Sequence, residues 1–304
     1  MCIRDRDHQL TGLKDEALKM LREAKNNDVL TIYGSRDIKD SPEVVKANWS
    51  RAESQWAINE GYDRICVYGM RELFDPREAY SPCLDFADNI DFTGYIIPPA
   101  KKAEKKLISG GRKKVLVTFG GGGDGMRRAE AYLQALKLKN VDWDSHIITG
   151  PLMDQEVKRK LRKLAHKIEP IGSVKIQKFH RNIPALLQQV DAVVSMAGYN
   201  SCTEILQSGV PAVLLPRSFP RREQLIRARL FAERGWVSYL KEDDVLPQNL
   251  LDAVESALAS PRRHRPEADL GGLNAMTGII FELLCNAGLV TRMSKSNPQQ
   301  RRAN

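Results

Sequence analysis

A short polar turn between two apolar runs carries the residues with the clearest chemical potential. Residues 195–211 read as the end of a buried strand, a turn of small residues at Gly198, and a helix that opens at Ser201. Backbone N–H groups in such a turn and at the start of such a helix can bind an anionic group. The carboxylate of Glu204 lies one helical turn further along. The pattern favours a site for a phosphorylated ligand.

A second glycine loop follows an earlier apolar run, residues 115–119, and begins with four consecutive glycines at 120–123. Glycine lacks a Cβ, so its backbone can approach a phosphate closely and adopt a positive φ. Flexible turns use glycine for the same reason, so the run alone does not define a site. Two such turns in one chain make a nucleotide-sugar site the leading hypothesis.

The composition is that of an ordinary globular protein with more than one domain. The chain has 304 residues, of which 42% are hydrophobic and 28% are charged, and this length exceeds one typical core. Its apolar runs are strand-sized, so we expect no membrane-spanning helix. The five cysteines form no C-x-x-C pair, which favours reduced thiols in a cytoplasmic protein and argues against zinc.

Basic residues are concentrated in three places, and the net charge is +9. Residues 101–114 hold seven Lys or Arg, residues 158–167 hold six, and the tail from Arg292 adds four. One interpretation is attraction to a phosphorylated substrate or to anionic lipid at the inner membrane face. The simpler one is a solvated linker and helix face. No aromatic residues interleave the runs, so we do not expect nucleic acid as a partner.

Strand-like and helix-like periods alternate along the chain, which predicts an α/β fold with a doubly wound, mainly parallel sheet. The predicted elements include strands over 29–33, 92–96 and 192–195 and a helix over 42–59. A last apolar helix over about 273–284 either packs on the first domain or is a C-terminal core helix. We predict a partial N-terminal domain over 7–100, a linker over 101–112, a main domain over 113–290 and a disordered tail over 291–304. The N-terminal region has too few elements for a complete doubly wound sheet, and residues 1–6 have no structural logic. Both observations indicate an N-terminally truncated chain.

Residues 113–258, with Gly-Tyr-Asn at 198–200, resemble the C-terminal domain of family 28 glycosyltransferases. Val-Tyr-Gly at 67–69 and Phe-Thr-Gly-Tyr at 92–95 also have counterparts in related predicted bacterial glycosyltransferases. The resemblance implies the GT-B fold. In that fold two Rossmann-like domains face each other across a cleft, and the C-terminal one binds the nucleotide donor.

The resemblance also implies a role for each position that matches the family. The two turns would contact the donor diphosphate through Gly120, Gly121, Gly122, Gly123, Gly198, Tyr199, Asn200 and Ser201. Phe179 and His180, expected at the end of a strand, would contact the nucleobase, and Glu204 would bind the ribose hydroxyls. Glu223 and Gln224 would contact the donor sugar.

Simpler structural interpretations stay open at several of these positions. Ser201 and Glu204 have the spacing of a capping box. The imidazole of His180 also suits a partly exposed strand end, and Glu223 suits the first turn of a helix. Three nearby arginines suit either a diphosphate or solvent: Arg217, Arg221 and Arg222.

The implied reaction moves a hexosyl group from a nucleoside diphosphate sugar, with UDP as the expected nucleotide, to an acceptor hydroxyl. We expect no metal and no cofactor besides this donor, because amides and helix dipoles can stabilise the departing diphosphate. A general base is not identifiable, since His8 stands in a polar start without a glycine-rich loop. Two alternatives remain: a nucleotide-sugar hydrolase or epimerase on the same scaffold, and a non-catalytic donor-binding subunit.

Overall fold

Two parallel β-sheets with flanking helices form the part of the chain that the structure describes. The computed structural model describes residues 17–80, 89–97, 111–121, 125–167, 173–263 and 267–290. Gly122, Gly123, His8, residues 101–110 of the predicted linker and the tail at 291–304 lie outside these ranges.

The first sheet has three parallel strands in the order β1-β2-β3. They are β1 (Ile32–Arg36), β2 (Arg64–Tyr68) and β3 (Ile90–Phe92). The accompanying helices are α1 (Leu18–Asn26), α2 (Pro42–Trp49), α3 (Ala52–Trp56) with a π-helical continuation (Ala57–Gly61), and α4 (Pro76–Tyr80). Aromatic rings fill the core, with the centroids of Trp49 and Tyr80 5.2 Å apart. We call residues 17–97 the first unit.

The second sheet has six parallel strands in the order β6-β5-β4-β7-β8-β9. They are β4 (Lys113–Thr118), β5 (Trp143–Ile148), β6 (Val174–Gln177), β7 (Ala192–Ser195), β8 (Ala212–Leu214) and β9 (Ser238–Tyr239). The helices are α5 (Met126–Ala135), α6 (Gln155–His166), α7 (Ile183–Leu187), α8 (Tyr199–Ser208), α9 (Glu223–Glu233), α10 (Pro247–Ala259) and α11 (Gly272–Asn286). Val115 and Val194 on central strands have no exposed surface, as a parallel sheet covered by helices requires. We call residues 111–290 the second unit.

The order of the second sheet reverses between β4 and β7. From β4 the chain builds outward through β5 and β6, and then crosses back to β7 and continues through β8 and β9. The predicted α/β architecture with a doubly wound parallel sheet is therefore confirmed. Open sheets of this kind bind ligands in the crevice beyond the strand ends at such a reversal.

The helix predicted as one element over residues 42–59 is broken. It ends at Trp49, and Arg51 adopts an extended conformation before α3 begins. Two side chains bond carbonyl groups beside the break. The Ser50 hydroxyl donates to the Lys46 carbonyl (2.6 Å), and the Gln55 amide donates to the Trp49 carbonyl (2.8 Å).

The first strand begins at Ile32 rather than at Val29, where the apolar run begins. The Thr31 N–H and hydroxyl both donate to the Asp63 carboxylate, at 2.6 and 2.9 Å. This ties Thr31 to the turn before β2 and sets Ile32 opposite Arg64. Val29 stays 53% exposed, so pairing with β2, rather than local hydrophobicity, fixes where the strand starts.

The last helix joins the first unit at its start. Gly272 N–H donates to the Tyr95 carbonyl (3.2 Å), and Tyr95 N–H donates to the Asp269 carbonyl (2.8 Å). These bonds occupy the backbone of Tyr95, so the strand predicted over 92–96 ends at Phe92 instead.

Most of α11 is exposed, although its sequence is apolar. Leu273 is 51% exposed and Phe281 is 47% exposed, so the alternative of a C-terminal core helix is wrong. Within the described ranges, no helix combines the length and the apolar composition needed to cross a membrane.

The basic run at 158–167 lies on α6 and its end. Arg159, Lys160, Arg162 and Lys163 are exposed, which agrees with a solvated helix face. Lys158 differs, because its side chain is buried at 3% exposure.

Candidate functional site

Both predicted phosphate turns lie where the order of the second sheet reverses. Thr118 of β4 pairs with Ser195 of β7, so Gly120 and Gly198 follow directly adjacent strand ends. Neighbouring strands lie about 4.8 Å apart, and both turns therefore border one crevice. The residues predicted each turn, and the family resemblance implied that both contact one diphosphate; the strand order sets the two turns side by side.

The turn after β7 leads directly into α8, whose first helical residue is Tyr199. Gly198 is the N-cap, in an extended conformation, and no side chain caps the helix. The predicted helix start at Ser201 is therefore wrong. The capping-box interpretation of Ser201 and Glu204 is wrong with it, because Ser201 lies inside the first turn. The first N–H groups of α8 have no side-chain cap, and the positive end of the helix dipole faces the crevice.

The space next to the turn is open. A Cβ built on Gly198 meets no atom of the described chain within 4 Å, and the same holds at Gly120, where φ is +58°. The turn after β5 supports the glycine loop from beneath: Leu152 N–H donates to the Gly121 carbonyl (2.9 Å). A Cβ on Gly150 would lie 2.5 Å from the Gly120 oxygen. No pattern in the sequence indicates this contact between the turn after β5 and the glycine loop.

Glu204 is a half-buried carboxylate in the second turn of α8. Burial raises the pKa of its carboxyl group above the usual value, and no other group contributes to the shift. Within the described chain, no residue donates a hydrogen bond to it. A carboxylate that loses water without gaining a partner is available to two hydroxyl groups of a ligand, one for each oxygen.

Glu223 and Gln224 begin α9 and are tied to the loop after β8. The Glu223 carboxylate pairs with Arg217 (2.9 Å), so Arg217 is committed to a carboxylate. Gln224 is 8% exposed, and its side-chain oxygen accepts a bond from Arg217 N–H (3.4 Å). One Glu223 oxygen, Oε2, is buried without a hydrogen-bond partner in the described chain. The pair therefore keeps one unsatisfied carboxylate oxygen at the start of α9.

Phe179 and His180 lie in the loop after β6, since the strand ends at Gln177 rather than at Phe179. The Phe179 carbonyl accepts a bond from the Gln177 amide (2.6 Å). His180 Nδ1 accepts a bond from Asn182 N–H (3.1 Å), and the Phe179 ring is 54% exposed. His180 therefore shapes the loop with its imidazole, while the exposed Phe179 ring is available to stack on a base.

The first unit contacts this region through Asp37 and Asp40, two charged residues that no sequence motif indicates. Asp37 follows β1 and pairs with Arg227 of α9 at 2.9 Å, with both side chains 1% exposed. Arg227 also donates to the Ala197 carbonyl (3.1 Å), immediately before Gly198. Asp40 accepts a bond from the backbone N–H of Arg222 (2.8 Å). The carboxyl end of β1 thus faces the carboxyl end of β7.

Among the described residues, no group of three or more His, Cys, Asp or Glu side chains is arranged to hold a metal ion. Cys66 and Cys202 are buried free thiols, and burial raises their pKa to about 11 and about 12 respectively.

Curated relatives match the second unit. A transferase of Exiguobacterium sibiricum, named UDP-N-acetylglucosamine--N-acetylmuramyl-(pentapeptide) pyrophosphoryl-undecaprenol N-acetylglucosamine transferase, is 25% identical over 167 residues. That match covers 53% of this chain and 44% of the relative, so the chain spans less than half of the relative's length. The transferase of the same name from Leuconostoc citreum is 33% identical over 113 residues, covering 37% of this chain and 30% of the relative.

Solved structures resemble both units together. The calicheamicin glycosyltransferase CalG4 gives a TM-score of 0.58 at 16% identity, covering 88% of this chain and 72% of that one. MurG of Acinetobacter baumannii gives 0.57 at 15% identity, with 88% and 70% covered. The spinosyn rhamnosyltransferase SpnG, complexed with thymidine diphosphate, gives 0.53 at 13% identity, with 88% and 67% covered. These likenesses show the fold, and the GT-B expectation is confirmed.

The family model described as the glycosyltransferase family 28 C-terminal domain matches residues 115–278. The match begins in β4, includes both glycine turns, Glu204 and the start of α9, and covers more than half of the chain. By its sequence, and with a GT-B fold around the same crevice, this protein belongs to glycosyltransferase family 28.

Proposed function

We propose that the protein transfers a hexosyl group from a nucleoside diphosphate sugar, with UDP as the nucleotide, to an acceptor hydroxyl. The observation that carries the proposal is the convergence of two glycine turns and the half-buried Glu204 at the strand reversal of a family 28 domain. The donor class is supported by the relatives, since the Exiguobacterium and Leuconostoc transferases are named for UDP-N-acetylglucosamine.

In this proposal different residues of the crevice bind different parts of the donor. The turns at Gly120–Gly123 and Gly198–Ser201 bind the diphosphate, and Glu204 accepts bonds from the ribose hydroxyls. The backbone and ring at Phe179–His180 contact the base. Glu223 and Gln224 bind the sugar. The open space at Gly198 and the unpartnered carboxylate of Glu204 support the first two assignments.

The chemistry of transfer follows from where charge develops. The acceptor oxygen bonds to the anomeric carbon and loses its proton to a general base, which is not among the residues assigned here, while the bond from that carbon to the diphosphate oxygen breaks. Negative charge grows on the departing diphosphate, where the N–H groups and dipole of α8 stabilise it. This arrangement requires no metal, and we expect binding of the donor to persist in the presence of a chelator.

The proposal extends to the acceptor and to where the protein meets it. The named relatives act on a pyrophosphoryl-undecaprenol compound, and the exposed basic face of α6 suits contact with anionic lipid at the inner membrane face. A cytoplasmic protein that reaches the membrane peripherally fits both observations.

The test is calorimetric titration of the purified chain with UDP, GDP, TDP and UDP-N-acetylglucosamine, with and without chelator. We expect selective binding of UDP and its sugar conjugate. A folded chain that binds none of the four would contradict the proposal. Binding followed by hydrolysis of the conjugate, without any acceptor, would favour a hydrolase instead.

A further inference from the structure

Arg36 of the first unit lies against Tyr199, the residue that follows the turn at Gly198. Arg36 is the last residue of β1, and its guanidinium carbon lies 5.2 Å from the centroid of the Tyr199 ring. Tyr199 is the first residue of α8 and follows Gly198 directly. Stacking on this ring holds a cation beside the first turn of α8.

A second guanidinium approaches the same ring, and its role differs. The carbon of the Arg227 guanidinium lies 5.7 Å from the Tyr199 centroid. Arg227 is 1% exposed, and it bonds Asp37 and the Ala197 carbonyl. It is therefore part of the buried contact between the units. Arg36 is only half-buried, so part of its side chain remains open to solvent.

The charges around the ring favour an anion. The Arg36 guanidinium lies beside the first residue of α8, whereas the charge of Arg227 is neutralised by Asp37. A cation at a helix N-terminus is unfavourable by itself, because the dipole there is also positive. A bound diphosphate offsets that repulsion, since it attracts both the guanidinium and the positive end of the helix.

We propose that Arg36 binds the diphosphate of the nucleotide donor, so that the first unit completes a site built mainly by the second. The inference rests on the proposed function. Arg36 lies outside the family match at residues 115–278, and the family domain alone does not assign it. A planar guanidinium suits phosphate because it donates two parallel hydrogen bonds.

If Arg36 binds the diphosphate, its contribution to affinity depends on the number of phosphates in the ligand rather than on the base. A residue that bonds the diphosphate contributes more to the binding of UDP than to that of UMP. A residue that merely supports the Tyr199 ring would affect both ligands alike, because the ring shapes the whole start of α8.

The experiment compares the dissociation constants of UDP and UMP for the full chain and three variants. Arg36→Met keeps an unbranched side chain against Tyr199 and removes the charge. Arg36→Lys keeps a charge without the planar pair of donors. Arg22→Ala is the control. Arg22 lies on α1 and also stacks on an aromatic ring, with its guanidinium carbon 5.3 Å from the Trp56 centroid, but that ring belongs to the first unit.

We expect Arg36→Met to weaken UDP binding about ten-fold or more, as the loss of charge-assisted hydrogen bonds does, and UMP binding by a clearly smaller factor. Arg36→Lys should fall between the wild type and Arg36→Met, and Arg22→Ala should bind both ligands like the wild type. If Arg36→Met did not fold, Arg36→Lys would carry the same comparison.

Three results would overturn the inference. UDP binding by a folded Arg36→Met protein equal to that of the wild type would remove Arg36 from the site and leave the proposed function standing. Equal loss of UDP and UMP would assign Arg36 a supporting role only. A wild type that binds neither UDP nor its sugar conjugate would remove the proposed function and this inference together.

Discussion

At the scale of single residues, the environment of Glu204 supports its proposed role in binding the ribose. Its burial raises the pKa of the carboxyl group, and no compensating partner in the described chain lowers it. A raised pKa means that the carboxyl group stabilises the fold more when protonated, and that this advantage is lost as the pH rises through the pKa in the folded protein. At neutral pH the charged Glu204 therefore costs stability, which a binding role explains.

The substitution Glu204→Gln should separate stability from binding. We expect the melting temperature of the free protein at pH 7 to stay equal or rise, because a buried charge is removed. UDP affinity should fall about ten-fold or more, since a carboxylate accepts stronger bonds from two hydroxyls than an amide does. Thermal unfolding and calorimetric titration measure the two effects. A parallel loss of stability and affinity would instead make Glu204 structural.

The same residue predicts a pH dependence of binding. In the proposed site the ionised carboxylate is the form that accepts hydrogen bonds from both ribose hydroxyls, and burial raises the pKa of this group. UDP affinity should therefore decrease on acidification at pH values above those at which an ordinary glutamate titrates. Titrations between pH 7 and pH 5 on the wild type and on Glu204→Gln check this. A variant that lost affinity as steeply as the wild type would assign the effect to another group.

At the scale of elements, Gly198 in the turn after β7 and Gly150 in the turn after β5 serve different purposes. Gly198 has an ordinary φ of −66° and open space where a Cβ would stand. Gly150 has a φ of +87°, and a Cβ there would meet the Gly120 oxygen at 2.5 Å. Substitution at the first position changes what a ligand meets, while substitution at the second changes the fold.

We therefore expect Gly198→Ala to fold and to bind donor poorly. Alanine is a weaker N-cap than glycine, so the free energy of unfolding should fall by about 1 kcal/mol or less. UDP affinity should fall about ten-fold or more, because one methyl group fills space that the diphosphate needs. Calorimetric titration of the folded variant measures this. Wild-type affinity in Gly198→Ala would place the phosphate elsewhere.

Gly150→Ala is the structural counterpart. A positive φ strains alanine, and the close contact with Gly120 adds overpacking, so the free energy of unfolding should fall by about 1–3 kcal/mol. Denaturant unfolding measures the change. A variant as stable as the wild type would show that the turn after β5 does not support the glycine loop.

How far the sequence predicts these elements depends on whether the determinant is local. The strand predicted over 192–195 is β7 to the residue, because it is a short apolar run between turns. The helix predicted over 42–59 is interrupted at Arg51, where the backbone is extended and the side chains of Ser50 and Gln55 bond nearby carbonyl groups. Apolar periodicity carries no signal for such an interruption. The start of α8 was misplaced because Ser201 suits an N-cap by type, whereas Gly198 takes that position in the fold.

At the scale of the whole molecule, one hydrophobic core cluster contains residues of both units, beside the cores that each unit builds alone. Tyr95 of the first unit lies 5.9 Å from Tyr199 and 6.0 Å from Phe231 of the second, measured between ring centroids. Tyr199 also accepts a bond through its hydroxyl from Ile96 N–H (3.2 Å). No sequence pattern predicts such contacts, because their partners stand far apart in the chain. The crevice is therefore held by contacts that neither unit makes alone.

The buried pair of Asp37 and Arg227 joins residues 190 positions apart across the two units. Asp37→Ala leaves the Arg227 guanidinium buried without its carboxylate, and the free energy of unfolding should fall by about 3–5 kcal/mol. Replacing both residues, as in Asp37→Ala with Arg227→Met, should recover most of that loss, because no unpaired charge remains. Denaturant unfolding of the two variants and the wild type measures the difference. Because the units share a core, the loss should appear as one shifted transition of the whole chain. A loss below about 1 kcal/mol in Asp37→Ala, or a double variant less stable than the single one, would show that this pair does not hold the units together.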